Sequence, residues 1–190
     1  SNQILDRLRR TARRWPGSRA RLAALPMHLV ARVGEARVGI VHGDAVSLAG
    51  WGFAHDRLGD PGHRRWIESM FEQAGVDVFA STHTCLPALE SFAGGVVANN
   101  GSAGMPNFEG ARAGLFTRIG RRPIAHAVPV FGIEAAGAHI EIASIEYDHE
   151  RWLRRFLAAW PEGSPAHASY LRRIVDGPGF APPPACQSRL

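Results

Sequence analysis

Three short stretches of this chain carry residues suited to chemistry. Ile40 to Asp44 (IVHGD) comes first, Phe79 to Pro87 (FASTHTCLP) second, and Val96 to Pro106 (VVANNGSAGMP) third. Each starts as a short apolar run, the pattern of a buried strand. Each then breaks into His, Asn, Gly, Ser or Thr. In an α/β protein the site lies outside the carboxyl ends of the strands. His42, His83 and Asn99 stand at three such ends and could converge on one bound ion or anion.

Imidazole is a good ligand for Zn, Mn or Fe. Gly43, beside His42, allows a close backbone approach to a ligand. An isolated His-Gly pair, however, is most often an ordinary loop. His83 and Cys85 are alternate residues, which point the same way in an extended segment. Both could reach one ion, or one could do so while Thr84 anchors the loop. Asn99-Asn100-Gly101-Ser102 reads as a turn in which Gly101 permits positive φ. Its exposed amides could cradle an anion. Taken alone it is a β-turn, and only the ordered set of three strand ends raises the functional reading.

The elements that must position these residues follow from the pattern. Asn2 to Arg14 forms an amphipathic helix with Ile4, Leu5, Leu8 and Ala12 on one face, stopped near Pro16-Gly17. His28 to Val33 and Arg37 to Val41 form a hairpin around Gly34-Glu35-Ala36. Gly43 to Pro61 is a long loop, of a length often functional. Arg64 to Ala74 is a helix burying Ile67, Met70 and Phe71, closed by Gly75. Asp77 to Ala80, Ala88 to Phe92, Val96 to Asn99 and Ala113 to Ile119 are strands. Ala125 to Phe131 and Ile133 to Tyr147 read as further strands, with a turn at Ala136-Gly137-Ala138.

The chain then changes character. Glu150 to Ala159 is a helix with Trp152, Leu153, Phe156 and Leu157 inward. Ser164 is placed to cap a second helix from Pro165 to about Val175. Trp152, Trp160 and Tyr170 are core candidates here; His149 and His167 read as surface residues. Gly177 to Pro184 reads as irregular and the tail beyond it as loose. The division is thus 1–147 for the main domain and 148–190 for a helical extension and tail.

With 190 residues and 45% hydrophobic residues, the chain can bury a genuine core. No apolar run reaches the ~20 residues that span a bilayer, so no membrane role is expected. The start, SNQILDRLRR, has no apolar signal region. Cys85 and Cys186 fit no zinc or redox spacing. Together these favour a cytoplasmic setting with free thiols. The net charge of +5 comes from 22 Lys+Arg against 17 Asp+Glu. The excess sits mainly in Arg7 to Arg21 and Arg151 to Arg173. Such blocks are chiefly solvated helix faces, but nucleic acid is not excluded as a partner. They would also steer anionic substrates.

The ordered set of motifs resembles the C-terminal half of the calcineurin-like metallophosphoesterases. Their pattern is a strand ending in HG, then GHTHxP, then NPGS followed closely by Pro. The matching residues are Val41-His42-Gly43, Thr82 to Pro87, and Asn99 to Ser102 with Pro106 after them. The resemblance covers roughly residues 25–147. It implies an α/β (α+β) fold, part of a β-sandwich flanked by helices, with the C-terminal helices added to it. It implies a metal-dependent phosphoesterase whose cofactor is a divalent transition metal, two ions of Mn, Fe, Zn or Ni, activating water against a phosphorylated small molecule or a phosphodiester. His42 and His83 would be ligands of the second metal. Cys85 falls where the family has a His of the first metal site, and it is either a ligand or a bystander. Gly43, Thr84, Asn99, Gly101 and Ser102 would support the loops or the phosphate.

The same resemblance shows departures. The family's D-x-H, GD and GN motifs, which supply the bridging carboxylates and an Asn ligand, are absent, and Asn2 does not fit the last of them. The chain therefore resembles the C-terminal part of a longer protein and should be nearly inactive alone. No catalytic residue is assigned, and substrate and oligomeric state are left open. Three rivals stand beside the enzyme: a non-catalytic binding or scaffold module, a thiol enzyme using Cys85 with His83, and an Arg-helix nucleic-acid binder. The thiol reading lacks an orienting third group.

Overall fold

The computed structural model describes residues 2–182. Cys186 and the tail expected to be loose lie outside the described residues. The helices are α1 (Asn2–Ala12), α2 (Ser18–Ala23), α3 (His55–Leu58), α4 (Arg64–Ala74), α5 (His149–Ala159) and α6 (Pro165–Asp176). The strands are β1 (Leu29–Val33), β2 (Ala36–Ile40), β3 (Val78–Ser81), β4 (Pro87–Phe92), β5 (Gly95–Asn100), β6 (Gly114–Gly120), β7 (Phe131–Ala135) and β8 (Ala138–Ile145).

Two sheets form. One has the order β1-β2-β3-β5-β4, the other β6-β8-β7. In the first, β2, β3 and β5 run parallel, so the carboxyl ends of all three lie at one edge. The β1–β2 hairpin and the β4–β5 hairpin add antiparallel strands outside them. Alternation along each strand divides the core. Val38, Val78, Val96 and Ala98 face the second sheet and Ile140. Phe79 and Val97 face the other way, onto Ile67, Met70 and Phe71 of α4. The α4 helix stops at Gly75, which takes φ 58°, the left-handed conformation glycine adopts most easily.

Several expectations are corrected. Residues 125–130 are not a strand, and β7 begins only at Phe131. Pro123 and Pro129 remove ladder donors there, and the Ile124 amide turns to the Glu141 carboxylate instead. The long loop holds a short helix, α3, around the buried Leu58. The amphipathic α1 buries no residue fully; Leu5 and Leu8 are exposed, and Ile4 alone joins the cluster under α5 and α6. Trp152, Leu157 and Tyr170, expected inside, are each more than a third exposed. Phe156, expected inward, fills that cluster with Ala166 and Ile174, and Leu153 and Trp160 pack against it as expected. His149, expected on the surface, is buried, with neither ring nitrogen hydrogen-bonded, and His167 is half-buried. Ser164 occupies the cap position before Pro165, but its hydroxyl makes no capping bond.

Candidate metal centre

The ladder between β2 and β3 runs past the ends of both strands. The Val41 amide donates to Ala80 at 3.0 Å and the Thr82 amide to His42 at 3.1 Å. These bonds fix the backbone of His42 against the start of the segment that carries His83. The two rings meet there: Nε2 of His42 and Nδ1 of His83 are 3.2 Å apart. The ring centroids are 5.0 Å apart and the planes cross at 60°. The edge of Trp51 closes on His83, with centroids 5.8 Å apart. His42 is exposed and His83 half-buried, so the pair opens to solvent.

Gly43 permits the loop after His42 to fold back. A Cβ at this position would stand 2.5 Å from the Ser47 carbonyl. The fold-back is organised by Asp44, which is 7% exposed. Its Oδ1 accepts from the amides of Val46 and Ser47, and its Oδ2 from Gly52. This carboxylate is consumed by its own loop. The sequence reading passed over it, although an Asp bonding backbone amides two and three residues on is a recognised turn signal.

The His83 segment is not extended. His83 and Cys85 take φ of 73° and 61°, and between them Thr84 is buried. Left-handed backbone costs an L-residue about 1–2 kcal/mol. It also cancels the alternation that would aim His83 and Cys85 together. The Cys85 thiol instead donates to the carbonyl of His83 at 3.2 Å. Among the described residues, no group of three or more His, Cys, Asp or Glu is placed to hold a metal.

Asn99 holds this strained turn. It is fully buried at the end of β5. Its Nδ2 donates to Thr84 Oγ1 at 2.7 Å and to the Phe53 carbonyl at 2.8 Å. Its Oδ1 accepts from the Gly101 amide at 3.0 Å. The Ser102 amide goes to Asn107 Oδ1 at 2.7 Å. The amides expected to cradle an anion therefore already have acceptors, and Asn99, Gly101 and Ser102 act by shaping the loop. Asn107, fully buried and also bonded to the carbonyls of Ser102 and Met105, was not singled out from the sequence.

Nor was Arg173, on α6. Its Nη2 donates to the Cys85 carbonyl at 2.5 Å and to the Pro106 carbonyl at 3.3 Å. One guanidinium thus ties the second and third motifs together from the C-terminal helix. Farther along, burial pushes the Tyr147 phenol above its ordinary range, against the opposing pull of Arg112. Its hydroxyl is buried without a partner.

The spacing of the His pair suits a shared cation. Two imidazole nitrogens bound at about 2.1 Å to one ion stand roughly 3.0–3.4 Å apart for angles between square and tetrahedral. The observed 3.2 Å lies inside that range, and without an ion it is a hydrogen bond between the two rings. The donor set is also right in kind, since imidazole suits Zn, Mn, Fe and Ni.

No family model and no curated protein matches the chain. Solved structures do. The hypothetical protein PH1004 from Pyrococcus horikoshii OT3 superposes with a TM-score of 0.57 at 18% identity, over 85% of this chain and 54% of that one. Vps29 from Entamoeba histolytica, complexed with Zn2+, gives 0.32 at 19% identity, over 50% and 48%. Vps29 from Chaetomium thermophilum gives 0.38 at 15% identity, over 69% and 56%. The chain spans about half the length of the structures it matches. The fold is mixed α/β, two sheets packed face to face and flanked by helices. At 18% identity the likeness to PH1004 carries the fold alone.

Proposed function

We propose that this chain supplies half of the metal centre of a metal-dependent phosphoesterase, with His42 and His83 as two ligands of one divalent cation. The observation that carries the reading is the 3.2 Å approach of Nε2 to Nδ1 at the carboxyl ends of adjacent parallel strands. A bound divalent cation would activate water and offset phosphoryl charge. The chain's own residues do the positioning. The Thr82–His42 backbone bond sets the height of the two rings relative to each other. Thr84 and Asn99 hold the left-handed turn that swings His83 toward His42. Trp51 covers one side of His83 and limits its rotation. The net charge of +5 favours an anionic substrate, a phosphorylated small molecule or a phosphodiester.

Two imidazoles do not complete such a site. A second reading, a non-catalytic binding or scaffold module, is favoured by Cys85, whose thiol is turned onto its own loop. Calorimetric titration with Zn2+ and Mn2+, on wild type and on His42→Ala and His83→Ala, tests the metal. One equivalent that both substitutions abolish supports the proposal; equal binding in all three removes it. Turnover of p-nitrophenyl phosphate or its bis ester by the metal-loaded full-length protein then separates enzyme from scaffold.

A further inference from the structure

The N-terminal helices turn apolar side chains to solvent. α1 touches the body along one face. Ile4 joins the cluster under α5 and α6, and the guanidinium of Arg7 lies 4.1 Å over the Trp160 ring. The next face, at spacings of three and four, carries Leu5, Leu8 and Ala12. The turn after α1 continues it to Trp15, whose amide donates to the Ala12 carbonyl. Among the described residues nothing covers this face. Leu5, Leu8 and Trp15 are 47%, 53% and 69% exposed, and Leu22 and Leu25, on α2 and just after it, are 67% and 63% exposed. Large apolar side chains grouped in this way mark an interaction surface.

Charge is concentrated on the same segment. Residues 2–27 hold seven arginines, between Arg7 and Arg21, against a single acid, Asp6; with +5 overall, the rest of the chain is close to neutral. Arg7 and Arg9 are engaged by Trp160 and Asp6. The side chains of Arg13 and Arg19 make no hydrogen bond or ion pair among the described residues. With Arg9, Trp15 and Leu22 they line a hollow of about 570 Å³ between α1 and α2.

We infer that α1 and α2 dock this protein on an anionic lipid surface, with Leu5, Leu8, Trp15 and Leu22 at the acyl boundary and Arg13 and Arg19 on headgroup phosphates. An apolar face beside a basic one is what an interfacial helix requires. The expectation of no membrane role rests on the lack of a span. No helix among the described residues is long and apolar enough to cross a membrane, but lying on its surface is a separate demand. Other partners fit less. A nucleic acid would use the arginines, but its polar, charged interface gives no place to four exposed leucines. A second copy would bring two blocks of seven arginines together. The inference is independent of the metal reading.

Co-sedimentation of the chain with vesicles tests this, using pure phosphatidylcholine and an equimolar mixture with phosphatidylglycerol. Binding to the mixed vesicles alone is expected, with a blue shift of tryptophan emission that Trp15→Phe removes. Arg13→Gln with Arg19→Gln should weaken binding about 30-fold, since each arginine at an anionic surface counts for roughly fivefold. Leu8→Gln with Leu22→Gln keeps the charge and should still weaken binding about tenfold or more. Leu8 and Leu22 are open to solvent, so the melting temperature of that pair should match wild type. Three results overturn the inference: no binding to either vesicle, equal binding to both, or a leucine pair that binds as well as wild type. In the last case, tighter binding to a single-stranded RNA would assign the arginines to nucleic acid.

Discussion

The guanidinium of Arg173 reaches from the last helix to the carbonyl of Cys85, 2.5 Å away, inside the turn that carries His83. The C-terminal helices are therefore part of the scaffold of the candidate site. Arg173 also reaches Pro106, so its loss would free two loops at once. Arg173→Met should lower stability by about 2–3 kcal/mol, because charged hydrogen bonds to half-buried carbonyls are lost. It should also weaken Zn2+ binding severalfold. Urea unfolding and calorimetry read the two effects separately, and Arg173→Lys should restore part of each.

Much of this arrangement was legible in the sequence. The α4 helix and its Gly75 stop, the β1–β2 hairpin and the strand ends at His42 and Asn99 all follow from local pattern. His42, His83 and Asn99 were expected to converge from their place at three strand ends; the two His rings meet, while Asn99 turns into the loops around it. What stayed hidden depends on tertiary partners. Arg173 looked like one more residue of a solvated basic block, since nothing local marks an arginine that will meet Cys85 and Pro106. His149 looked exposed for the same reason. The left-handed turn at His83 and Cys85 was read as extended because neither residue is Gly or Asn, the usual marks of positive φ. It is imposed by Asn99 reaching Thr84 from another strand.

Asn99 is the support on which that turn depends. Asn99→Ala would leave the Thr84 hydroxyl, the Phe53 carbonyl and the Gly101 amide without their partner. Each buried group left unsatisfied costs about 1–3 kcal/mol, so a loss of several kcal/mol in chemical denaturation is expected. Asn99→Asp keeps the acceptor for Gly101 and loses the donor, and should fall between wild type and Asn99→Ala.

Cys85→His asks whether this position can join the metal site. The thiol now bonds its own loop through the His83 carbonyl. An imidazole is larger than the thiol and, at this half-buried position, can reach past the loop. If position 85 borders the metal, zinc affinity should rise at least tenfold in calorimetry. Unchanged affinity would mark Cys85 as a bystander and favour the scaffold reading.

Tyr147 gives a pH-dependent prediction. Burial raises its folded-state pKa above the unfolded value, with Arg112 opposing. Its contribution is fully present below the unfolded pKa of about 10 and is lost as pH rises through the folded value. Tyr147→Phe should therefore flatten the fall in stability above about pH 10. At pH 8 it should cost little, because the hydroxyl it removes has no partner. Urea midpoints of both proteins at pH 8 and pH 10.5 check this.

The central claim is that His42 and His83 share one cation. Crystals grown with Zn2+ or Mn2+, with data collected at the metal absorption edge, test it most directly. The account predicts an anomalous peak bonded at about 2.1 Å to both His42 Nε2 and His83 Nδ1. A map with no peak between the rings, or with metal bound to only one of them, would contradict it.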